Sequence, residues 1–290
     1  MRVKGNKILA VKSDRDLIKL GRRLATEIRK VLIREMKSTV RVEEPREVKA
    51  THKIDQLACR IIAKETQGLP IRIIIEGTEP INSEVVSPRL FIDPIDGSRN
   101  WERQIGDPAF AMAFSAKEGE MLFEDLSFCF VEGLRSGDQY FTLRGKAWYK
   151  SKLLNQKAQK LPKRKAVKLS ESLAYIKPGY SQAAKVLDFA GPLMLACKDI
   201  RAIDNSAAEL CELARGATDL IIEARDLSDF HNLLAYPILL ATGGVVTDLK
   251  GNDLGKTKAI PEKIYDYMAF SSSTLRDEAL VVLHRSKRAD

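Results

Sequence analysis

The eight residues Asp93-Pro-Ile-Asp-Gly-Ser-Arg-Asn100 set two carboxylates three positions apart, with a proline between them and a glycine and a hydroxyl directly after. A hard divalent cation such as Mg²⁺ takes several oxygen ligands, and clustered carboxylates on a bent backbone supply them. Gly97 lets the backbone approach a ligand closely. A helix opening at Ser98 would offer free backbone N–H groups to a phosphate. By itself a D-x-x-D-G-S string is also a common turn, and two further carboxylates decide between the readings. Glu76 ends the apolar run Ile71–Ile75, where a charge is unfavourable unless it binds something. Asp55 stands near the start of a helix following Thr51, placed to orient a nearby hydroxyl.

The elements that must carry these residues are legible in outline. Ser13 is a good N-cap, and Leu17, Leu20, Leu24, Ile28, Val31 and Leu32 follow at helical spacing. A second helix is expected over 54–66, a buried strand over 71–75, and a strand over 89–92 that leads straight into the acidic segment. Strands are expected around 110–115, 122–132 and 139–143, separated by glycine-containing turns. The basic stretch 150–168 reads as a solvated junction between an N-terminal α+β half (1–149) and a C-terminal α/β half (150–290). Beyond it, strands at 173–176, 220–223, 245–248 and 267–271 alternate with helices at 182–187, 206–215 and 274–285. A helix ending at Gly243-Gly244 contains Pro237, which is expected to kink it. Trp101 reads as packing.

The bulk properties narrow the class. The chain has 290 residues, 44% hydrophobic and 30% charged, which suits a folded soluble protein. No apolar window is long enough for a membrane span, and the first residues lack a signal-peptide core, so a cytoplasmic location is expected. Cys59, Cys129, Cys197 and Cys211 lie far apart and suit free thiols, and three histidines are few for an imidazole-built zinc enzyme. The net charge of +9 favours anionic partners by steering. No recognition helix or aromatic–basic interleaving points to nucleic acid. Lys177 and Arg201 are candidates for contacting a second anionic group.

The segment DPIDGSRN resembles the DP(I/L)DG(T/S)xN signature of the inositol monophosphatase-like superfamily, which includes archaeal-type fructose-1,6-bisphosphatases. Thr51-His-Lys-Ile-Asp55, Ile73-Ile-Ile-Glu76, Asn205-Ser-Ala-Ala and Ala241-Thr-Gly-Gly244 are similar to other family segments in order and approximate spacing. The resemblance implies an α+β fold, the layered αβαβα sandwich, and a homodimer. It implies that Glu76, Asp93 and the Ile95 carbonyl bind one metal and that Asp93 and Asp96 bind a second, with Mg²⁺ expected and Mn²⁺ as the alternative. Ser98 would pair with Asp55 and help Glu76 activate a water. Gly97 and Ser98 would hold the phosphate, with Asn205, Ser206 and Glu223 on the substrate side.

Two positions depart from the family pattern. Gly77 stands where a second glutamate is common. Counted back from Gly243-Gly244, the aspartate that completes the second metal site falls on His231, and imidazole prefers softer metals. Asp229 or Asp226 could replace it, His231 could itself ligate, or the site could be incomplete. The expected function is metal-dependent hydrolysis of a small phosphorylated metabolite, inositol monophosphate or fructose-1,6-bisphosphate foremost. The rival is a catalytically weakened homologue kept as an interaction protein.

Overall fold

The computed structural model describes residues 13–37, 53–180 and 182–286. Thr51, which opens the expected T-x-x-I-D segment, lies outside them. Helix α1 (Asp14–Lys37) starts as its sequence requires, with the Ser13 Oγ accepting from the Asp16 N–H at 3.4 Å. It lies against α2 (Lys53–Thr66) and buries Leu17, Leu20, Leu24 and Ile28. Gly21 permits the close approach of α1 to the sheet, since a Cβ there would sit 2.6 Å from the Phe130 ring.

That sheet has seven strands in chain order: β1 (Arg72–Ile75), β2 (Arg89–Asp96), β3 (Ala109–Ser115), β4 (Phe128–Gly133), β5 (Gln139–Leu143), β6 (Lys146–Lys150) and β7 (Gln159–Lys160). Only β1 and β2 are parallel; the other neighbours are antiparallel. Side chains alternate between the faces of a strand, and β3 uses this plainly. Phe110 and Met112 face α1 and α2, whereas Ala109, Ala111 and Ala113 face the other way.

On that small-residue face lies a middle layer of helices, α5 (Ser206–Arg215) and α6 (Tyr236–Ala241), which touches both sheets. The second sheet runs β11 (Val245–Thr247), β12 (Tyr267–Phe270), β10 (Leu220–Glu223), β8 (Leu173–Ile176) and β9 (Asp199–Arg201). Its outer face is covered by α4 (Ala183–Ala196) and α7 (Ser273–Ser286). The layers are therefore helix, sheet, helix, sheet, helix, with an apolar cluster under each outer helix layer and a third that surrounds the middle helices and reaches both sheets. A five-residue helix, α3 (Ser98–Glu102), follows β2.

Pro237 sits in the first turn of α6, where its missing N–H is no loss, so it starts a helix instead of kinking one. The segment expected as one strand over 122–132 is a 3₁₀ turn (Phe123–Asp125) followed by β4, because the Asp125 carboxylate accepts from the Leu122 N–H at 2.8 Å and turns the chain. All four cysteines are free thiols. Among the described residues no helix is long and apolar enough to cross a membrane.

Candidate active site: a carboxylate cluster between two sheets

Strand period and register bring the first carboxylates together. In the parallel β1–β2 pair, Ile75 stands opposite Ile92 and the Glu76 N–H donates to the Ile92 carbonyl at 3.0 Å. One residue further along both chains are Glu76 and Asp93. The alternation that turns Ile75 and Ile92 toward α1 and α2 turns the next residue of each strand toward the middle layer. A register shift between Asp93 and Asp96 then breaks the β2–β3 ladder. There the Ile95 N–H donates to Asp93 Oδ1 at 3.0 Å.

Asp96 reaches across to α5. Its carboxylate accepts from the backbone N–H groups of Ser206 (3.0 Å) and Ala207 (2.8 Å), which have no partner within their own helix. A negative group at a helix N-terminus is electrostatically favoured. Gly97 follows in the left-handed region at φ 81°, and a Cβ there would fall 1.9 Å from Asn205 Oδ1. Glycine is thus required twice over at this position.

A cleft of about 310 Å³ opens above these groups. Asp55, Glu76, Asp93, Ile95 and Asp96 line it, and so do Gly97, Ser98, Ser206 and Glu223. Asn205 does not. It is buried behind Gly97, where its Oδ1 accepts from Asn100 Nδ2 at 2.8 Å, and it ties α3 to α5. Asp229 caps the 3₁₀ turn Phe230–Leu233, accepting from the His231 N–H at 2.7 Å. His231 is 4% exposed, and neither of its ring nitrogens has a hydrogen-bond partner; Nδ1 lies 3.5 Å from Asp229 Oδ1.

The electrostatics divide the cleft into two regions. Burial raises the proton affinity of Glu76, and the Asp229 charge adds to it against the opposing effect of His231. Asp93 lies well above the carboxylate range, first from burial, then from Glu76, Asp96 and Asp229. Burial and the neighbouring Glu209 push Asp96 up to about 7. No lysine or arginine pairs with Glu76 or Asp93 among the described residues. Two nearby cations, Lys177 and Arg225, are committed elsewhere. Lys177, 3% exposed, holds Glu209 at 2.9 Å and Glu223 at 3.0 Å. Arg225 holds Glu223 through Nε at 2.7 Å and Asp204 at 2.8 Å. Although burial works against ionisation, Lys177 and Arg225 bring Glu223 down to about 2.

Clustered carboxylate oxygens that carry charge only at a cost and have no protein cation beside them fit a divalent metal ion. Among the described residues no three His, Cys, Asp or Glu side chains already form a cage for one. Glu223, expected on the substrate side, lines the cleft, and both its oxygens are taken by Arg225 and Lys177 in a buried ion network. Lys177 belongs to that network, and Arg201, on the exposed edge strand β9, pairs with Asp199.

Among the lining residues that escaped the sequence reading are Arg99, Tyr180, Asp204 and Arg225. Arg225 carried a usable signal, since it stands two positions beyond Glu223 at the end of a strand and so shares its side. Arg99 carried none beyond its place inside the acidic segment.

A model of the inositol monophosphatase family matches residues 13–278. A curated relative, the bifunctional NADP phosphatase/NAD kinase of Methanococcus maripaludis, is 24% identical over 271 residues, covering 86% of this chain and 46% of its own length. The chain thus spans about half of that relative. Inositol monophosphatase II of Staphylococcus aureus superposes with a TM-score of 0.73 at 17% identity, covering 94% of this chain and 95% of its own. The Thermotoga maritima IMPase gives 0.73 at 18%, covering 94% and 99%. At such identities the structural likeness speaks for the fold.

Proposed function

Because the chain belongs to the inositol monophosphatase family, we propose that it is a metal-dependent phosphomonoesterase acting on a small phosphorylated metabolite. The family and the named phosphatase relative support a phosphatase-type function. The observation that carries the finer reading is the pairing of Glu76 with Asp93, two carboxylates on one sheet face at the cleft with no cation of the protein to balance them.

Enzymes of this family are generally metal-dependent, typically on Mg²⁺. Here Glu76, Asp93, the Ile95 carbonyl and Asp96 would hold the ion, with Asp229 supplying what the family aspartate supplies. A bound cation would withdraw charge from the phosphoryl group and from the leaving oxygen. The chain's own residues do the rest. Glu76, just past the end of β1 beside Asp93, takes the proton of the attacking water. Ser98 and Asp55 line the cleft with it and orient that water. The Gly97 and Ser98 backbone, at the start of α3 on the cleft wall, receives the phosphate oxygens.

The test is phosphate release from inositol-1-phosphate, fructose-1,6-bisphosphate, 3′-phosphoadenosine 5′-phosphate and NADP, with Mg²⁺ and with Mn²⁺, beside Asp93→Asn. Metal-dependent release that falls at least about 100-fold in the variant is expected. Well-folded protein that releases phosphate from none of them overturns the reading and favours the weakened homologue.

A further inference from the structure

One part of the cleft lining is cationic and aromatic. The Arg99 guanidinium lies 4.9 Å from the centroid of the Tyr180 ring, and Arg225 lies 5.2 Å from the same ring. All three line the cleft. Tyr180 is fixed from behind, because its hydroxyl donates to Asp204 Oδ2 at 2.8 Å and Asp204 in turn binds Arg225. Tyr180 and Asp204 both hold left-handed backbone, φ 56° and 67°, which non-glycine residues adopt at some strain.

The two arginines differ in what they can still do. Arg225 is consumed by Glu223 and Asp204. Arg99 pairs with no carboxylate among the described residues, and the ring face is its partner. A guanidinium laid on a ring keeps the N–H groups of its edge for planar, bidentate recognition of phosphate. Arg99 also directly follows Ser98, so it borders the place where the scissile phosphate would rest. A neutral polyol has little to offer here, since Glu223 has no lone oxygen left for a hydroxyl.

We infer that Arg99, steadied on Tyr180, is the anchor for a second phosphate group of the substrate, and that the enzyme selects bisphosphorylated metabolites over monophosphorylated polyols. This rests on the cleft being a phosphomonoesterase site. The second phosphate is not a reactant: it binds, and the ester at the carboxylate end is cleaved.

The test compares fructose-1,6-bisphosphate with fructose-1-phosphate, which keeps one ester and lacks the second group, using the full chain and Arg99→Ala and Arg99→Lys. The ratio of the two KM values is expected to shift against the bisphosphate by about tenfold or more in Arg99→Ala, the loss of one charge-assisted phosphate contact. Arg99→Lys should recover part of it. A ratio unchanged in Arg99→Ala overturns the inference while leaving the hydrolase intact. If the wild type hydrolyses neither compound, calorimetric titration of fructose-1,6-bisphosphate decides the inference, and the hydrolase reading stands or falls on the wider substrate panel. About tenfold weaker binding by Arg99→Ala upholds it; equal binding, or none by the wild type, removes it.

Discussion

Asp229 and His231 stand two residues apart on one 3₁₀ turn, and substitution separates their roles. Asp229 raises the proton affinity of both Glu76 and Asp93, so its charge is felt where the cation would sit. His231 is enclosed beside Phe230, with ring centroids 5.7 Å apart. Asp229→Asn is therefore expected to raise the Mg²⁺ concentration needed for half-maximal thermal stabilisation by about tenfold or more, the size of a lost metal ligand or its orienting partner. His231→Phe should leave that concentration within about twofold, as a packed ring exchanged for another. The reverse ranking in a thermal-shift titration would make His231 the ligand. The acidic segment 93–100 was legible because carboxylate spacing, proline and glycine each carry a local meaning. The division between Asp229 and His231 was not, because which side chain turns inward depends on where a 3₁₀ turn begins, and no spacing rule fixes that.

At the scale of elements, the alanine face of β3 determines how near α5 can come. Ala109, Ala111 and Ala113 are all fully buried beneath the middle layer. Ala111→Leu is expected to cost about 1–3 kcal/mol in urea unfolding, as overpacking does. The same change at Ala158, which is partly buried at the edge of the other cluster, should cost under about 1 kcal/mol. Equal losses would mean that the face is not tightly packed. Strands such as β1 and β3 were readable from their branched and alternating residues. Helix α4 was readable only in its first half, since Gly191 and Pro192 resemble a stop. The helix continues past them because its apolar side, with Val186, Ala190 and Leu193 buried, is held against the second sheet. Tertiary burial there outweighs a local breaker. The short edge strands β7 and β9 escaped for a related reason, being defined by neighbours and not by their own composition.

For the molecule as a whole, the ion network around Glu223 ties stability to pH. Glu223 has its proton affinity lowered from the ordinary 4.5 to about 2. Its ionised form is therefore favoured by the fold, and the benefit is present above about 4.5 and lost as pH falls toward 2. The difference corresponds to about 3 kcal/mol as an order of magnitude. Glu223→Gln should be less stable than the wild type at neutral pH, and the gap should close as the pH is lowered through that window. A gap that stays constant with pH would show that Glu223 contributes by packing alone. Such a network was beyond sequence reasoning, because Lys177 follows the end of β8 while Glu209 and Glu223 come from α5 and β10, and they meet only once the second sheet is formed.

Asp96 belongs to a strand of the first sheet and closes the first turn of a helix that also packs on the second. First-turn amides of a helix ordinarily exchange their hydrogens quickly, since they have no bond to break. Here Ser206 and Ala207 cannot release theirs until strand and helix part. Their deuterium uptake should thus be as slow as that of Phe91 in the middle of β2, making two residues at a helix start clocks for the separation of the layers.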